Sequence, residues 1–343
     1  MKEHRILVAI HMEESQLKEI AAVDPCLRVN NVAHEFSALT GKAPLGLRAL
    51  DEADLLERTT AETQLAPLLQ EAEILYTAWV PPDLLQCSPK LRWVHLFPHG
   101  VDYIRGDILE KDVIVTTGQG AHAAPLAEHV MTLALMLAKQ APRFIHQQGK
   151  CQWKRFYVIE LSRSTLGLLG FGSIGKRVAK YAKSFGMRVI ATRRTFTEES
   201  PLEIDELVPL DRLEYLLKES DFVVLALPLT SATRNLIGEK ELRMMKPSAF
   251  LINISRGGLV DEPALIRALQ EKRLAGAGLD VFQVEPLPPE SPLWHMDGVI
   301  ITPHVGPLSP YLVENANRLF MENLRRYITG NPLLNVFDRV RGY

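Results

Sequence analysis

The sequence predicts an α/β protein with two parallel sheets, because short apolar runs alternate with helical stretches along the whole chain. Before about residue 120, the strand candidates are residues 6–10, 74–78, 93–96 and 113–116. Helix-like stretches lie between them at residues 16–22 and 66–71. Strands that alternate with helices favour parallel pairing, so this region is predicted to form one α/β domain.

A second alternating series follows a long helix predicted over residues 121–138, which is rich in Ala, Leu and Met. Its six strand candidates are residues 165–169, 188–192, 222–227, 249–254, 276–281 and 299–302. Six strands with helical connections are typical of a doubly wound sheet. A last amphipathic helix, predicted over residues 310–328, is too short to stand alone, and we expect it to pack on the first domain.

Composition narrows the function classes further. The 343 residues suit about two domains, and 39 basic against 41 acidic side chains give no basic excess for nucleic acid. Three scattered cysteines fit neither a disulfide framework nor a zinc site, and we expect no metal. No apolar run approaches the roughly 20 residues that span a bilayer. We expect a soluble, cytoplasmic protein without a nucleic-acid or membrane partner.

A glycine fingerprint stands between a predicted strand and a predicted helix. Gly170 permits a tight turn, Gly172 lets the backbone approach a pyrophosphate, and Gly175 lets helix and strand pack closely. Ser173 and Ile174 complete the loop, whose N–H groups and helix dipole favour a diphosphate. The alternative is a glycine-rich turn that only packs a helix on a sheet. The context favours a dinucleotide site.

The end of the next strand indicates which dinucleotide is preferred. An NAD site carries an acidic residue about 20 positions on, to hold the ribose hydroxyls. Here Arg193 occupies that position and Arg194 follows. A guanidinium can pair with a 2′-phosphate, so NADP is the preferred cofactor and NAD remains possible. The alternative is a solvated arginine pair on a surface loop.

Several further segments make the chain resemble the D-isomer-specific 2-hydroxyacid dehydrogenase family, of the glyoxylate/hydroxypyruvate reductase kind, over nearly its whole length. They are Leu227-Pro228-Leu229-Thr230, Met245-Lys246-Pro247, Leu251-Ile252-Asn253-Ile254-Ser255-Arg256-Gly257-Gly258, Leu279-Asp280-Val281-Phe282, Glu285-Pro286 and Thr302-Pro303-His304. So many matches in the same order are specific for the family, although not for one substrate.

The resemblance implies a Rossmann domain over residues 121–305, inserted into a smaller, flavodoxin-like substrate domain of residues 1–120 and 306–343. It also implies a homodimer formed through the cofactor domain, including an arm over residues 141–153. Beyond the fingerprint, it implies cofactor contacts from Leu227, Pro228, Thr233, Ile254, Ser255 and Asp280.

The resemblance assigns catalysis to three residues, and their chemistry agrees. Arg256 would anchor the substrate carboxylate through its planar guanidinium. His304 would protonate the carbonyl oxygen as hydride reaches the neighbouring carbon, and histidine titrates near neutrality. Glu285 would favour the protonated imidazole. Asp280 would assist near the nicotinamide ring.

Each role has a structural alternative. Arg256 would instead pair with a nearby acid, Glu285 would be a solvated loop residue, and His304 would be a packed cap residue. For Asp280 the alternative is a helix-capping or backbone-bonding role.

The loop that follows the strand at 93–96 is expected to hold the substrate. The family usually has a glycine-rich turn here, whereas this chain has Pro98, which lacks an N–H, followed by His99 and Gly100. We expect His99 and Gly100 to contact the substrate.

The sequence therefore predicts an enzyme, an NADPH-preferring reductase of small 2-oxo acids that yields D-2-hydroxy acids. The alternative from another class is a dinucleotide-sensing binding module without significant turnover.

Overall fold

The computed structural model describes residues 3–40, 58–81, 83–101, 108, 112–193 and 203–342. Contacts between residues divide the chain into two compact units. The first unit contains Met1–His122 and Pro310–Tyr343, and the second contains Ala123–Ser309. The two domains predicted from the sequence have boundaries close to those of these units. Their roles in binding substrate and cofactor remain predictions.

The first unit is built on a parallel sheet of five strands in the described residues. These are β1 (His4–Ala9), β2 (Leu27–Asn31), β3 (Ile74–Thr77), β4 (Trp93–Leu96) and β5 (Ile114–Thr117). Their order, β2-β1-β3-β4-β5, is that of flavodoxin-like folds. Successive side chains of β1 alternate between two buried clusters, with Ile6 and Val8 in one and Leu7 and Ala9 in the other. Both faces of the sheet are therefore covered.

The helices along this part of the chain are α1 (Glu14–Ala21), α2 (Ala33–Thr40), α3 (Arg58–Glu71) and α4 (Leu84–Cys87). Helix α3 begins eight residues before the predicted stretch and contains Pro67. Leu65 and Leu69 lie four residues apart, on one face, and both are buried. Tertiary packing of that face extends the helix beyond what the local pattern indicates.

The second unit contains a parallel sheet of seven strands in the described residues. These are β6 (Thr165–Leu169), β7 (Arg188–Thr192), β8 (Glu206–Val208), β9 (Phe222–Leu225), β10 (Phe250–Asn253), β11 (Gly276–Leu279) and β12 (Val299–Ile301). Their order is β12-β11-β10-β9-β6-β7-β8. The chain runs outward in one direction from β6 and in the other from β9, so the switch point lies between these two strands. Ligands of doubly wound sheets bind at the carboxyl ends of such strands.

The helices of the second unit are α5 (Ala123–Ala138), α6 (Ala141–Gly149), α7 (Ser173–Ser184), α8 (Leu213–Glu219), α9 (Glu239–Met244) and α10 (Glu262–Gln270). Helix α5 is largely apolar because most of its surface is buried, against α7 and against β10 and β11. Its His129 lies 3.0 Å from Thr302, the residue that follows β12.

The terminal helix, α11 (Leu312–Thr329), packs on the first unit. Phe320 stacks on Tyr76 with ring centroids 4.2 Å apart, and the Tyr76 hydroxyl donates to Asn317 Oδ1 at 3.1 Å. No helix of the described residues is long and apolar enough to cross a membrane.

The α/β fold with two parallel sheets is confirmed, and every strand predicted from an apolar run is present. Two strands were missed, β2 and β8, so the prediction of six strands for the second sheet was one too few. Both lie at sheet edges. Strand β2 is largely polar and β8 has three residues, because an edge strand needs no continuous apolar run.

Candidate active site

A hydrogen-bonded pair of side chains, Glu285 and His304, forms the centre of the candidate site. His304 follows β12, and Glu285 lies in the loop after β11. The Glu285 Oε2 atom lies 2.8 Å from His304 Nδ1, and Oε1 accepts the Phe282 N–H at 2.9 Å. The side chains are 36% and 42% exposed, respectively. The acid and the imidazole predicted from the sequence are therefore in direct contact, with one face of the pair open to solvent.

The contact with His304 also affects the pKa of Glu285. Burial acts to raise it, but the hydrogen bonds from His304 and from the Phe282 N–H outweigh burial. The charges of His304 and Arg256 act in the same direction, and the pKa lies below its ordinary value of 4.5. Glu285 is therefore a carboxylate at neutral pH, as a partner of an imidazolium must be.

The turn that carries His304 is shaped by Asp280, the residue after β11. His304 has a left-handed backbone conformation, with φ of 53°, and its N–H donates to the Asp280 carbonyl at 2.9 Å. The Asp280 carboxylate accepts from the Val305 N–H at 2.9 Å and from the Gly306 N–H at 3.0 Å. It also accepts from Thr302 Oγ1 at 2.6 Å. Asp280 thus binds the turn on both sides of the histidine.

Asp280 is fully buried, and its carboxylate is held in the charged state by its donors. Burial acts to raise its pKa, but hydrogen bonds from His129, Thr302 and two backbone amides hold the pKa below 3.8. These contacts fit the backbone-bonding role that the sequence left open. The role near the nicotinamide remains a prediction.

Arg256 lies in the loop after β10. Contacts of Asn253 and Gly257 fix the position of this loop. The Asn253 side chain donates to the Arg256 carbonyl at 2.9 Å and accepts the Ser255 N–H at 3.1 Å. Gly257 follows, and a Cβ there would lie 1.9 Å from the carbonyl carbon of Phe282. Glycine therefore lets the Arg256 loop touch the segment that holds Glu285, and this approach explains why the arginine charge acts on the Glu285 carboxylate.

The glycine fingerprint lies at the switch point, between the end of β6 and the start of α7. Gly170 has φ of +105°, and a Cβ there would lie 2.3 Å from the Ala226 carbonyl oxygen. A Cβ on Gly175 would lie 2.3 Å from the Gly170 oxygen. These two positions require glycine for backbone packing, whereas Ile174 is buried in the core.

Gly172 and Ser173 differ from the other loop residues because Gly172 leaves open space and Ser173 has a hydroxyl group that bonds to nothing in the described residues. A Cβ on Gly172 would meet no atom within 4 Å, so the space above the loop is open. Gly172 is also the residue that caps the N-terminus of α7. The Ser173 hydroxyl is buried without a hydrogen-bond partner in the described residues. An open helix N-terminus with an unused hydroxyl suits a diphosphate.

Arg193 follows β7 directly and is exposed. The preceding residue, Thr192, accepts the Gly170 N–H on its hydroxyl at 3.3 Å, so the end of β7 lies beside the fingerprint. Arg193 makes no hydrogen bond or ion pair with the described part of the chain. Arg194 lies outside the described residues.

The remaining predicted cofactor contacts lie in the loops after β9 and β10. Thr233 donates to the Pro228 carbonyl at 2.7 Å and so folds the loop that begins at Leu227. The Ser255 hydroxyl donates to the Leu225 carbonyl at 2.9 Å, and the Ile254 side chain is buried. Both hydroxyl protons are thus donated within the protein, and the contacts of these loops with a cofactor remain predictions.

The predicted substrate residues of the first unit, His99 and Gly100, lie in the loop after β4 and are half-buried. The Pro98 carbonyl accepts the Gly118 N–H at 3.0 Å and closes the loop against the segment after β5. Their contact with substrate remains a prediction.

Comparison with known proteins identifies the family. A sequence profile described as "D-isomer specific 2-hydroxyacid dehydrogenase, NAD binding domain" matches residues 131–306. The glyoxylate reductase of Thermococcus litoralis is 40% identical over 281 residues, which cover 77% of this chain and 82% of that protein. The chain belongs to the D-isomer specific 2-hydroxyacid dehydrogenase family. The family predicted from the sequence is thus confirmed.

Other relatives differ in length or in bound ligand. The D-3-phosphoglycerate dehydrogenase of Methanocaldococcus jannaschii is 34% identical over 303 residues, which are 85% of this chain but only 57% of that protein. A family structure from Xanthobacter autotrophicus in complex with NADPH and MES has a TM-score of 0.80, 28% identity and full coverage of both chains. An NADPH-dependent glyoxylate/hydroxypyruvate reductase from Sinorhizobium meliloti, in complex with NADP and sulfate, has a TM-score of 0.79 and 25% identity, covering 99% of this chain and 100% of that one.

As a member of this family, the protein is an NAD(P)-dependent oxidoreductase with a nicotinamide dinucleotide cofactor. The loop fits that group, because Gly172 leaves open space and the buried Ser173 hydroxyl has no partner among the described residues.

Sequence reasoning did not single out four residues that shape the site: His129, Asn253, Gly257 and Thr302. The signal for His129 is an imidazole within a largely apolar helix. Asn253, Gly257 and Thr302 stood within recognised segments, but their contacts with the Arg256 loop, with Phe282 and with Asp280, respectively, depend on the fold.

Proposed function

We propose that this dehydrogenase is an NADPH-preferring reductase of small 2-oxo acids, such as glyoxylate or hydroxypyruvate, that yields D-2-hydroxy acids. The observation that carries the proposal is the Glu285–His304 pair. Glu285 engages Nδ1 of the imidazole, so Nε2 is the ring nitrogen left to face a substrate. Nε2 makes no hydrogen bond with the described part of the chain. Glyoxylate reductases among the curated relatives support the substrate class.

The residues divide the chemistry of the reduction among them. The bound cofactor supplies a hydride to the carbonyl carbon of the oxo acid. His304 donates the Nε2 proton to the carbonyl oxygen, where negative charge develops. Glu285 fixes the orientation of the ring and stabilises its positive charge before the transfer. Arg256, in the adjoining loop, binds the substrate carboxylate, for which a guanidinium provides two parallel donors.

The test follows NADPH absorbance with glyoxylate, hydroxypyruvate and phenylpyruvate as substrates. His304→Ala should lower kcat by roughly 10²–10⁴, the usual contribution of a positioned acid. The control is His295→Ala, which removes an exposed histidine of the same unit and should leave kcat unchanged. Equal turnover in the two variants would make the proton-donor role untenable. If the wild type binds NADPH but reduces none of the acids, the protein is a dinucleotide-sensing module.

The NADPH preference rests on Arg193. Its guanidinium is exposed and follows the strand end that holds the ribose-binding acid in NAD-specific sites. It makes no ion pair with the described residues that would occupy its charge. Two similar structures, those from Xanthobacter and Sinorhizobium, contain NADPH or NADP, which supports the same preference.

The cofactor preference is tested by the ratio of kcat/KM for NADPH to that for NADH. Arg193→Asp removes the cation and supplies a carboxylate for the ribose hydroxyls, so the ratio should fall, with NADH gaining. The control is Arg325→Asp on α11, which makes the same charge change at an exposed site. An unchanged ratio in Arg193→Asp would refute the assignment to the 2′-phosphate.

We also propose that the arm over residues 141–153, together with the segment that follows it to Tyr157, mediates a homodimer. Trp153 and Tyr157 are 91% and 99% exposed, and Phe144 and Ile145 add further exposed apolar surface. Exposed apolar patches of this kind mark association sites. Light scattering should give about twice the chain mass for the wild type and a single chain mass for a Trp153→Ser/Tyr157→Ser variant. A monomeric wild type would contradict the proposal.

A further inference from the structure

Three side chains form a hydrogen-bonded row behind the turn that carries His304. His129 of α5 lies with Nε2 3.0 Å from Thr302 Oγ1, and Thr302 Oγ1 lies 2.6 Å from Asp280 Oδ1. His129 Nε2 is also 3.4 Å from the same carboxylate oxygen. The row joins residues 151 and 173 positions apart in sequence, so only the folded chain brings them together.

The direction of the hydrogen bonds in this row follows from the donors available. Asp280 is a carboxylate and only accepts, so the Thr302 hydroxyl must give its one proton to Asp280 Oδ1. The threonine oxygen then accepts from His129, which fixes the proton of the imidazole on Nε2. Successive donors of this kind polarise and strengthen one another in a buried setting.

Packing reinforces the connection between α5 and the catalytic turn. A Cβ on Gly306 would lie 2.9 Å from Asp280 Oδ2, 3.0 Å from a Leu126 methyl group and 3.3 Å from the His129 ring. The turn after His304 therefore packs directly against Leu126 and His129, which lie on one face of α5. A shift of His129 is transmitted both through the polar row and through this contact.

We propose that His129 is a positioning residue for the reduction, acting through Thr302 and Asp280 on the turn that holds His304. Asp280 binds that turn at three points: its carbonyl accepts the His304 N–H, and its carboxylate accepts the N–H groups of Val305 and Gly306. The orientation of the carboxylate therefore sets the path of the backbone through the histidine. The proposal rests on the proton-donor role given above to His304.

A solely structural role of His129 would predict a different result for its variants. If His129 only fills space, a leucine of similar volume should serve as well as a glutamine. If its Nε2 donor holds the row, glutamine should retain function, because its amide nitrogen reaches a comparable position, and leucine should not. Thr302 offers the same contrast, since serine keeps the hydroxyl and valine keeps only the shape.

The experiment compares His129→Gln with His129→Leu, and Thr302→Ser with Thr302→Val, in the full chain with NADPH and glyoxylate. We expect kcat to fall roughly 10- to 100-fold in the leucine and valine variants, the range that a misplaced catalytic group produces. We expect the glutamine and serine variants to stay near the wild type. KM for NADPH should change much less than kcat in all four, because the glycine loop is not altered. A His129→Leu/Thr302→Val double variant should lose little more than either single one.

Equal kcat values in the leucine and glutamine variants would overturn the proposal, whether both are active or both are impaired. Fully additive losses in the double variant would also overturn it, since the two residues would then act independently. Thermal unfolding of each variant separates loss of folding from loss of positioning.

A second readout does not depend on turnover. With histidines labelled by ¹⁵N, the imidazole signals of His304, assigned by their absence in His304→Ala, should shift in His129→Leu and remain in place in His129→Gln. A wild type without oxo-acid reduction would remove the proposed function, while this comparison would still report on the row. Unmoved His304 signals in His129→Leu would overturn the positioning role.

Discussion

Replacement of Gly257 by alanine tests the contact that brings the Arg256 loop to the Glu285 segment. The added Cβ would lie 1.9 Å from the carbonyl carbon of Phe282 and 2.0 Å from its oxygen. Carbon atoms in van der Waals contact are about 3.5–4.0 Å apart, so the two segments must separate by roughly 1.5 Å or more. A misplacement of about 1 Å can cost about 10²-fold in rate. We therefore expect kcat/KM for glyoxylate to fall at least about 100-fold.

The assay measures NADPH consumption together with NADPH binding by fluorescence. NADPH binding should weaken much less than turnover in Gly257→Ala, because the glycine fingerprint around Gly172 lies in another loop. The matched control is Gly149→Ala, where a Cβ would meet no atom within 4 Å, and which should behave as the wild type. Overpacking also costs about 1–3 kcal/mol of stability, which thermal unfolding would record. A Gly257→Ala enzyme as active as the control would refute the close approach.

Three further predictions concern the buried acid Asp280, the Glu285–His304 pair and the turn after His304. Each carboxylate oxygen of Asp280 accepts one backbone N–H, and Asp280→Asn replaces one of these oxygens by an NH₂ group that cannot accept. The free energy of unfolding, measured with denaturant, should therefore fall by about 1–3 kcal/mol; unchanged stability would contradict the backbone-bonding role. The pKa of Glu285 is lowered, so its stabilising contribution is present above its ordinary value of 4.5 and is lost as the pH falls through the lower folded value. His304→Gln should raise the Glu285 pKa, as followed by carboxyl ¹³C shifts, and a fall would oppose the pairing. Gly306→Ala should lower kcat, because its Cβ would meet Asp280 Oδ2 at 2.9 Å, and a kcat equal to that of Gly149→Ala would contradict this packing.

The strands could be predicted because buried parallel strands are continuous apolar runs. Residues 165–169 and 222–225, for example, are buried throughout, and their sequences show it. Strand β2 could not be predicted in this way, since Arg28 and Asn30 interrupt its apolar residues at the sheet edge. Helix α3 was predicted too short because its start depends on burial of Leu65, which is set by tertiary contacts.

The candidate catalytic residues could be identified because each stands in a short segment with a recognisable order. Their partners could not be, because hydrogen bonds across the fold leave no local pattern. His129 and Asp280 illustrate this difference: the first looked like part of an apolar helix, and the second allowed two roles that only its donors distinguish.

The most direct test of hydride transfer uses NADPH that carries deuterium at both C4 positions of the nicotinamide, with hydroxypyruvate as substrate. We predict D-glycerate with one deuterium at C2, seen by NMR, formed far more slowly by His304→Ala. Glycerate without deuterium at C2, or of the L configuration, would contradict the account.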